Sequence, residues 1–211
     1  MTKPEPEDKV KTGKRSGVER RNRDLEVMAS ATSVMSERGY AATSIQEIAD
    51  RVGVLKGSLY HYFSSKEELL YRILSESHDE SEKITQSVAA LGLEPLEELS
   101  EFLRRECLWF LSNVSRANIY FTESGHLTGD RLKQIQRSGR EFTEHLQKLI
   151  TAAQGAGRIT TDVEASLLTR YVLGSLNNVR AWPTRSSKSV SKEEMADTFV
   201  RLTRNALQAT D

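Results

Sequence analysis

The sequence predicts an all-α protein, with a small N-terminal three-helix head and a larger C-terminal helical body. Three observations predict it. Apolar residues recur at helical spacing along most of the chain, Gly, Pro and Ser pairs punctuate those stretches, and nothing alternates as a strand would. With 211 residues and 37% apolar content, the chain can build one large domain or a small one joined to a larger.

The elements follow in order. Residues 1–15 carry two Pro and many charges and predict a flexible arm. A first helix runs from about Ser16 to Arg38, with Leu25, Met28, Thr32 and Met35 on one stripe and Gly39 as its stop. Ser44 and Glu47 have capping-box spacing, and Ile45, Ile48, Ala49 and Val52 give the second helix an apolar face. Gly53 breaks the pattern, and a third helix of about two turns fits Leu55 to Tyr62. Ser65 and Glu68 repeat the capping box ahead of a long helix from Lys66 toward Ala90, with Leu69, Leu70, Ile73 and Leu74 inward.

Beyond the break at 91–94, Pro95 suits the first turn of a helix reaching about Val114. A short helical segment, Arg116–Glu123, comes next. Another helix starts at Thr128–Asp130, reaches about Ala153 and stops at Gly155 and Gly157. Asp162 to Trp182 has an apolar side of Leu167, Leu168, Tyr171, Leu176 and Val179, and Pro183 ends it. Residues 187–191 form a polar linker. Ser191 and Glu194 cap the last helix, striped by Met195, Phe199, Leu202 and Ala206.

Charge is balanced overall, with 30 Lys/Arg against 30 Asp/Glu, but unevenly placed. Residues 1–66 hold 12 basic and nine acidic side chains, and Lys9–Arg23 alone holds seven basic and one acidic. A basic front of this kind is either a solvated tail or the electrostatic footprint of a nucleic-acid binder. No apolar run approaches the roughly 18 residues of a membrane span. The polar opening MTKPEPEDKVK predicts no secretory signal. The single Cys107 excludes an internal disulfide and fits a reducing cytoplasm.

The informative stretch is "TSIQEIADRVGVLKGSLYHYFSSKEELL", Thr43 to Leu70. Two short helices around a Gly turn, braced by a third, make a helix-turn-helix. The second is short enough to enter a groove about 12 Å wide. Lys56 can meet phosphate at its start, Gly57 leaves the backbone approachable, and Ser58, Tyr60 and His61 present hydrogen-bonding tips. Leu59 and Phe63 lie at i and i+4 and anchor the helix inward. A packing corner with Tyr60 in the core is the alternative.

At family spacing, "GYAATSIQEIADRVGVLKGSLYHYFSSKEELL" resembles the N-terminal domain of TetR-family transcriptional repressors. The resemblance is close over about residues 20–75, and the rest of the chain matches in pattern alone. It implies DNA contacts from Thr43 and Ser44 to phosphate, from Gln46 to a base edge, from Lys56, Gly57, Ser58, Tyr60 and His61 as the recognition surface, and from Lys66 to the backbone. Gln46 stands where the family often has Arg. The organisation implied is an arm over 1–15, a DNA-binding domain over 16–66, and an effector-binding and dimerisation domain over 67–211.

For the body, the aromatic and amide residues Trp109, Phe110, Tyr120, Phe121, His126, Tyr171, Asn177 and Asn178 are candidates to surround a small-molecule effector pocket. Lys-Gly-Ser-Leu-Tyr with a late Trp182-Pro183 is similar to regulators of lipid, steroid and acyl-CoA catabolism. An acyl-CoA would want basic partners near the pocket mouth, for which Arg104, Arg105 and Arg116 are candidates with none of them assigned. Leu167, Tyr171, Gly174, Ser175, Phe199 and Leu202 on the last long helices suit a homodimer interface, or else the chain's own core. A symmetric dimer would read an inverted-repeat operator in double-stranded DNA. The chain has no Gly-rich phosphate loop, Cys pair or His-x-x-x-His, so the reading predicts no enzyme, cofactor or metal site. Repression and activation are not told apart by these residues.

Overall fold

The computed structural model describes residues 12–182 and 190–208, with side chains from Arg20 onward. The expected stop at Pro183, most of the linker and most of the N-terminal arm lie outside the described residues. Thr12 to Arg15, expected in that arm, are helical. Most of the described residues are helical, and none of them forms a strand.

The chain divides into two compact units, residues 1–69 and 70–211. The first holds helix α1 (Thr12–Ala42), α2 (Ile45–Val52), α3 (Lys56–Leu59) and the start of α4 (Lys66–Ala89). Its core comes from Val27, Met28, Ala31, Val34 and Met35 of α1, Ile48 and Ala49 of α2, Leu59 of α3, and Phe63 and Leu69. Leu25 is a correction: it is 60% exposed, because the α1 core stripe runs through 27, 28, 31, 34 and 35 and leaves 25 on the far face.

Local chemistry sets the bends. Gly39 takes φ 77°, which ends the regular part of α1. Ser44 caps α2, its hydroxyl accepting from the Glu47 N–H at 3.1 Å. Glu47's own carboxylate turns instead to Arg38 and Arg51, so the capping box is half formed. Arg51 also grips Glu37 of α1 through two nitrogens, at 3.0 and 2.7 Å. The bonds from Arg51 and Ser33 hold the Glu37 carboxyl down at about 2. Gly53 closes α2 in the left-handed region, φ 73°, its N–H reaching the carbonyls of Ala49 and Asp50. A Cβ there would meet nothing within 4 Å. Gly53→Ala should therefore cost only the backbone penalty, about 1 kcal/mol of stability, in a denaturant titration. A loss of several kcal/mol would show that a side chain at this turn is penalised by more than its backbone conformation.

The regular part of α3 is four residues, shorter than the two turns expected. Bonds from the N–H groups of Tyr62 and Phe63 to the Leu59 carbonyl continue it as turns. Ser65 caps α4, accepting from the Glu68 N–H at 3.1 Å.

The second unit holds the rest of α4, then α5 (Pro95–Ser112), α6 (Val114–Glu123), a 3-10 turn (Ser124–His126), α7 (Gly129–Gly155), α8 (Ala165–Asn178), a 3-10 turn (Val179–Ala181) and α9 (Lys192–Ala206). Helix α5 is central and packs against α6, α7, α8 and α9. Its inward stripe of Leu99, Phe102, Leu103, Cys107 and Phe110 meets Leu146, Leu149 and Ile150 of α7, Leu168, Val172 and Leu176 of α8, and Ala196 and Phe199 of α9. Ser191 caps α9 through the Glu194 N–H at 3.1 Å.

Candidate functional site

Helices α2 and α3 carry the expected surface, with two changes. Ser44, Gln46, Lys56, Gly57 and His61 are exposed, Tyr60 is 49% exposed, and Ser58 is half-buried. The Gln46 amide donates to Asp50 Oδ1 at 2.8 Å, which fixes its direction along α2. Tyr60 leans on Phe63, ring centroids 6.0 Å apart, so its root is held while its hydroxyl end is free to reach outward. Arg20 and Arg21 of α1 line a groove of about 300 Å³ with Asp24, His61 and Tyr62, extending the basic surface beside α3.

Thr43 and Lys66 are the corrections. The Thr43 side chain is buried, and its hydroxyl donates to the Gly39 carbonyl at 2.8 Å, so it is not presented to a phosphate. The Lys66 ammonium donates to the carbonyls of Tyr40, Ala41 and Thr43 at 2.9, 3.3 and 2.9 Å and lies over the Tyr40 ring. A cation among orphan carbonyls at a helix end is a cap. Lys66→Met should lower stability by about 1–3 kcal/mol. The slope of DNA affinity against salt should stay unchanged. A slope reduced by about one per site would make Lys66 a phosphate contact after all.

Leu55 was not among the expected surface residues, yet it is 81% exposed. It lies at i−4 from buried Leu59, which suggests the same face. It sits instead at the N-cap with extended backbone, φ −68° and ψ 142°, outside the helical register.

The second unit contains a cavity of about 600 Å³, lined wholly by residues between 77 and 177. Five expected residues line it: Trp109, Phe110, Tyr120, Phe121 and Asn177. Three do not. His126 is exposed in the 3-10 turn, 3.5 Å from Glu123. Tyr171 is 54% exposed, on the side of α8 away from buried Leu168, Val172 and Leu176, and Asn178 is exposed too. Glu123-x-x-His126 has the spacing of a di-iron helix, but among the described residues no group of three or more His, Cys, Asp or Glu side chains could hold a metal ion.

The wall also includes residues not anticipated: Ser77, His78 and Ser81 of α4, Glu106 of α5, Gln136, Gly139, Arg140, Phe142, Thr143 and Glu144 of α7, and Leu173 of α8. A Cβ at Gly139 would come 3.0 Å from the Tyr120 hydroxyl, so glycine there lets α6 lay Tyr120 against α7. Glu106 is 1% exposed and accepts a hydrogen bond from the Ser81 hydroxyl at 2.6 Å. Burial pushes its carboxyl up to about 7. His78 meets Tyr120 edge-on at 5.2 Å, its Nε2 is buried without a partner, and burial lowers its pKa against the pull of Asp79 and Glu141.

The cations expected at the mouth are engaged elsewhere. Arg104 pairs with Asp197 at 2.6 Å, Arg105 with Glu101 at 2.6 Å, and Arg116 with Glu80 at 2.8 Å. The cation on the cavity wall is Arg140, exposed and with no ion pair among the described residues.

Of the interface candidates, Leu167, Tyr171 and Leu202 are 55%, 54% and 56% exposed, and Gly174 is exposed. Ser175 is half-buried, its hydroxyl donating to the Tyr171 carbonyl at 3.0 Å. Phe199 is a correction. It is 3% exposed, packed in the unit's own core with its ring 6.3 Å from Trp182, so it offers no surface to a partner.

Comparison with known proteins decides the family. Residues 27–73 match the family model "Bacterial regulatory proteins, tetR family", and residues 92–207, more than half the chain, match "Tetracyclin repressor-like, C-terminal domain". The chain belongs to the TetR family. It is similar to the HTH-type transcriptional repressor KstR2 of Rhodococcus jostii (strain RHA1), 27% identical over 208 residues that cover 98% of each chain. The structure of the ketosteroid transcriptional regulator KstR2 of Mycobacterium tuberculosis shares the fold, with a TM-score of 0.81 at 22% identity, over 88% of this chain and 95% of that one. AibR, solved in complex with isovaleryl coenzyme A and operator DNA, aligns with a TM-score of 0.75 at 25% identity, over 85% and 97% of the two chains. The TetR-family assignment makes this protein a helix-turn-helix transcriptional regulator and not an enzyme. Among the described residues, no helix is long and apolar enough to cross a membrane.

Proposed function

We propose that this TetR-family regulator is a cytoplasmic repressor, released from its operator by a small apolar or acyl-CoA-type effector. The observation that carries the reading is the aromatic-walled cavity of about 600 Å³ inside the second unit of a chain whose first unit is a helix-turn-helix. Cavities of this size and lining suit drug-sized apolar ligands. Arg140 on the wall gives an anionic group somewhere to rest. Two similar proteins, a ketosteroid regulator and a regulator solved with isovaleryl coenzyme A and operator DNA, support the same class.

In this reading residues 16–66 bind DNA through Ser44, Gln46, Lys56, Gly57, Ser58, Tyr60 and His61, and the residues before them add basic charge. Residues 67–211 bind effector and dimerise. The exposed Leu167, Tyr171, Gly174 and Leu202 form the apolar part of the dimer surface, and a symmetric dimer reads an inverted repeat. Helix α4 contributes Lys66 to the first unit and Ser77, His78 and Ser81 to the cavity wall, so an occupied cavity acts on the helix that leads out of the DNA-binding head. A ligand shifts the protein between two states only by binding one better than the other.

The test is fluorescence anisotropy of the full chain on a selected operator duplex, titrated with acyl-CoA thioesters and with the corresponding free acids. Release by one chain-length class, with affinity that falls steeply with salt, is the expected result. Operator binding indifferent to every such compound would overturn the effector assignment and leave the family intact.

A further inference from the structure

In the cavity wall one buried nitrogen has no hydrogen-bond partner, and a nearly buried acid makes fewer bonds than its two oxygens allow. Glu106 accepts one hydrogen bond, from Ser81, and its second carboxyl oxygen has no partner among the described residues. His78 Nε2 is fully buried with none. They stand together. His78 lies three residues before Ser81 on α4, one turn along the same helix face, and Ser81 is the residue bonded to Glu106. Both line the same cavity, whose other walls include Trp109, Phe110, Tyr120 and Phe142.

Native proteins leave few buried polar groups unpaired, and each one calls for a reason. Here the reason is the effector. We infer that the effector carries a neutral oxygen function, a hydroxyl or a carbonyl, on an otherwise apolar body, and that Glu106 and His78 select it by hydrogen bonding. This rests on the cavity being the effector site.

The chemistry excludes the other polar classes. A carboxylate driven inward would face Glu106, and two acids at one site cannot both ionise. An ammonium would have to leave water for a mostly aromatic wall, at a desolvation cost that its attraction to one carboxylate only partly returns. A hydroxyl both donates and accepts, so it satisfies either imidazole tautomer and either form of Glu106. A carbonyl accepts from the acid form. Burial keeps Glu106 in that form up to about pH 7. A bare hydrocarbon leaves both groups as they are.

The experiment uses the purified full chain without DNA, so that its failure is separate from failure of operator release. The probes are cyclododecanol, cyclododecanone, cyclododecane and cyclododecylamine, one ring with four endings. Affinities are read from tryptophan fluorescence, since Trp109 stands on the wall. The alcohol and ketone should bind at least about tenfold more tightly than the hydrocarbon or the amine. Glu106→Leu and His78→Phe should each reduce that preference about tenfold. Circular dichroism reports whether each variant folds, and the wild-type ranking stands as a test by itself. Equal binding of alcohol and hydrocarbon, preference for the amine, no binding by any probe, or an unchanged preference in both folded variants would overturn the inference.

Discussion

Tyr60→Ala should weaken specific operator binding by about 1–3 kcal/mol per recognition helix, or roughly 5- to 150-fold, and leave helicity and thermal stability near wild type. The expectation follows from where the residue stands. Tyr60 is 49% exposed at the end of α3, with its ring beside Phe63, so removing that ring opens no closed cavity. Its neighbour provides the contrast. Leu59 is fully buried, and Leu59→Ala should cost about 2–5 kcal/mol of folding free energy. Anisotropy on operator and scrambled duplexes, beside circular dichroism melts, separates the two effects. A Tyr60→Ala protein that loses helicity would move Tyr60 into the core. One that binds operator normally would remove it from the recognition surface.

Glu106→Gln should stabilise the protein in a pH-dependent way. The Glu106 carboxyl has an ordinary value of 4.5 and sits at about 7 when folded. Between those values the folded state holds a proton that the unfolded state has released. Stability therefore falls as pH rises through that window, and the loss is complete above it. The full penalty is about 3 kcal/mol. The amide never ionises and still accepts from Ser81. The stability of the variant minus that of wild type should be near zero at about pH 4 and should grow to about 3 kcal/mol by about pH 8. Urea titrations at several pH values give the difference directly. A difference that does not change with pH would show that Glu106 is not held neutral by burial.

Much of the head was legible because its signals are local. Ser44 three residues before Glu47, Gly53 after Val52, and Leu59 with Phe63 at i and i+4 each act within one turn: the Ser44 hydroxyl caps α2, Gly53 ends it, and Leu59 and Phe63 are buried. Leu25 misled because a Leu-Met-Thr-Met stripe has helical spacing as well. Only packing against α2 decides which of two overlapping stripes is inward. Lys66 and Thr43 misled for a different reason. Their partners, Tyr40 and Ala41 for one and Gly39 for the other, follow from how the bend after α1 folds back, and helical spacing does not encode that.

The cavity was half legible. Aromatic residues on adjacent helices pointed to it, and five of the eight candidates line it. The missed polar residues had a signal. Leu99, Phe102, Leu103, Glu106, Cys107 and Phe110 share one helix face, and an acid set into an apolar stripe is unusual enough to single out. His78 between Ser77 and Ser81 carried less, since polar residues fill most of the later part of α4. Phe199 suits an interface or a core equally by sequence, because an apolar stripe does not reveal whether its partner is the same chain or a second copy.

A footprint of the purified protein on the DNA flanking its own gene, followed by selection from a random-sequence duplex library, asks whether the helix-turn-helix head recognises a specific operator. A protected inverted repeat, with half-sites one helical turn or a small multiple apart, is the predicted result. No protected or selected sequence, even at low salt, would contradict it.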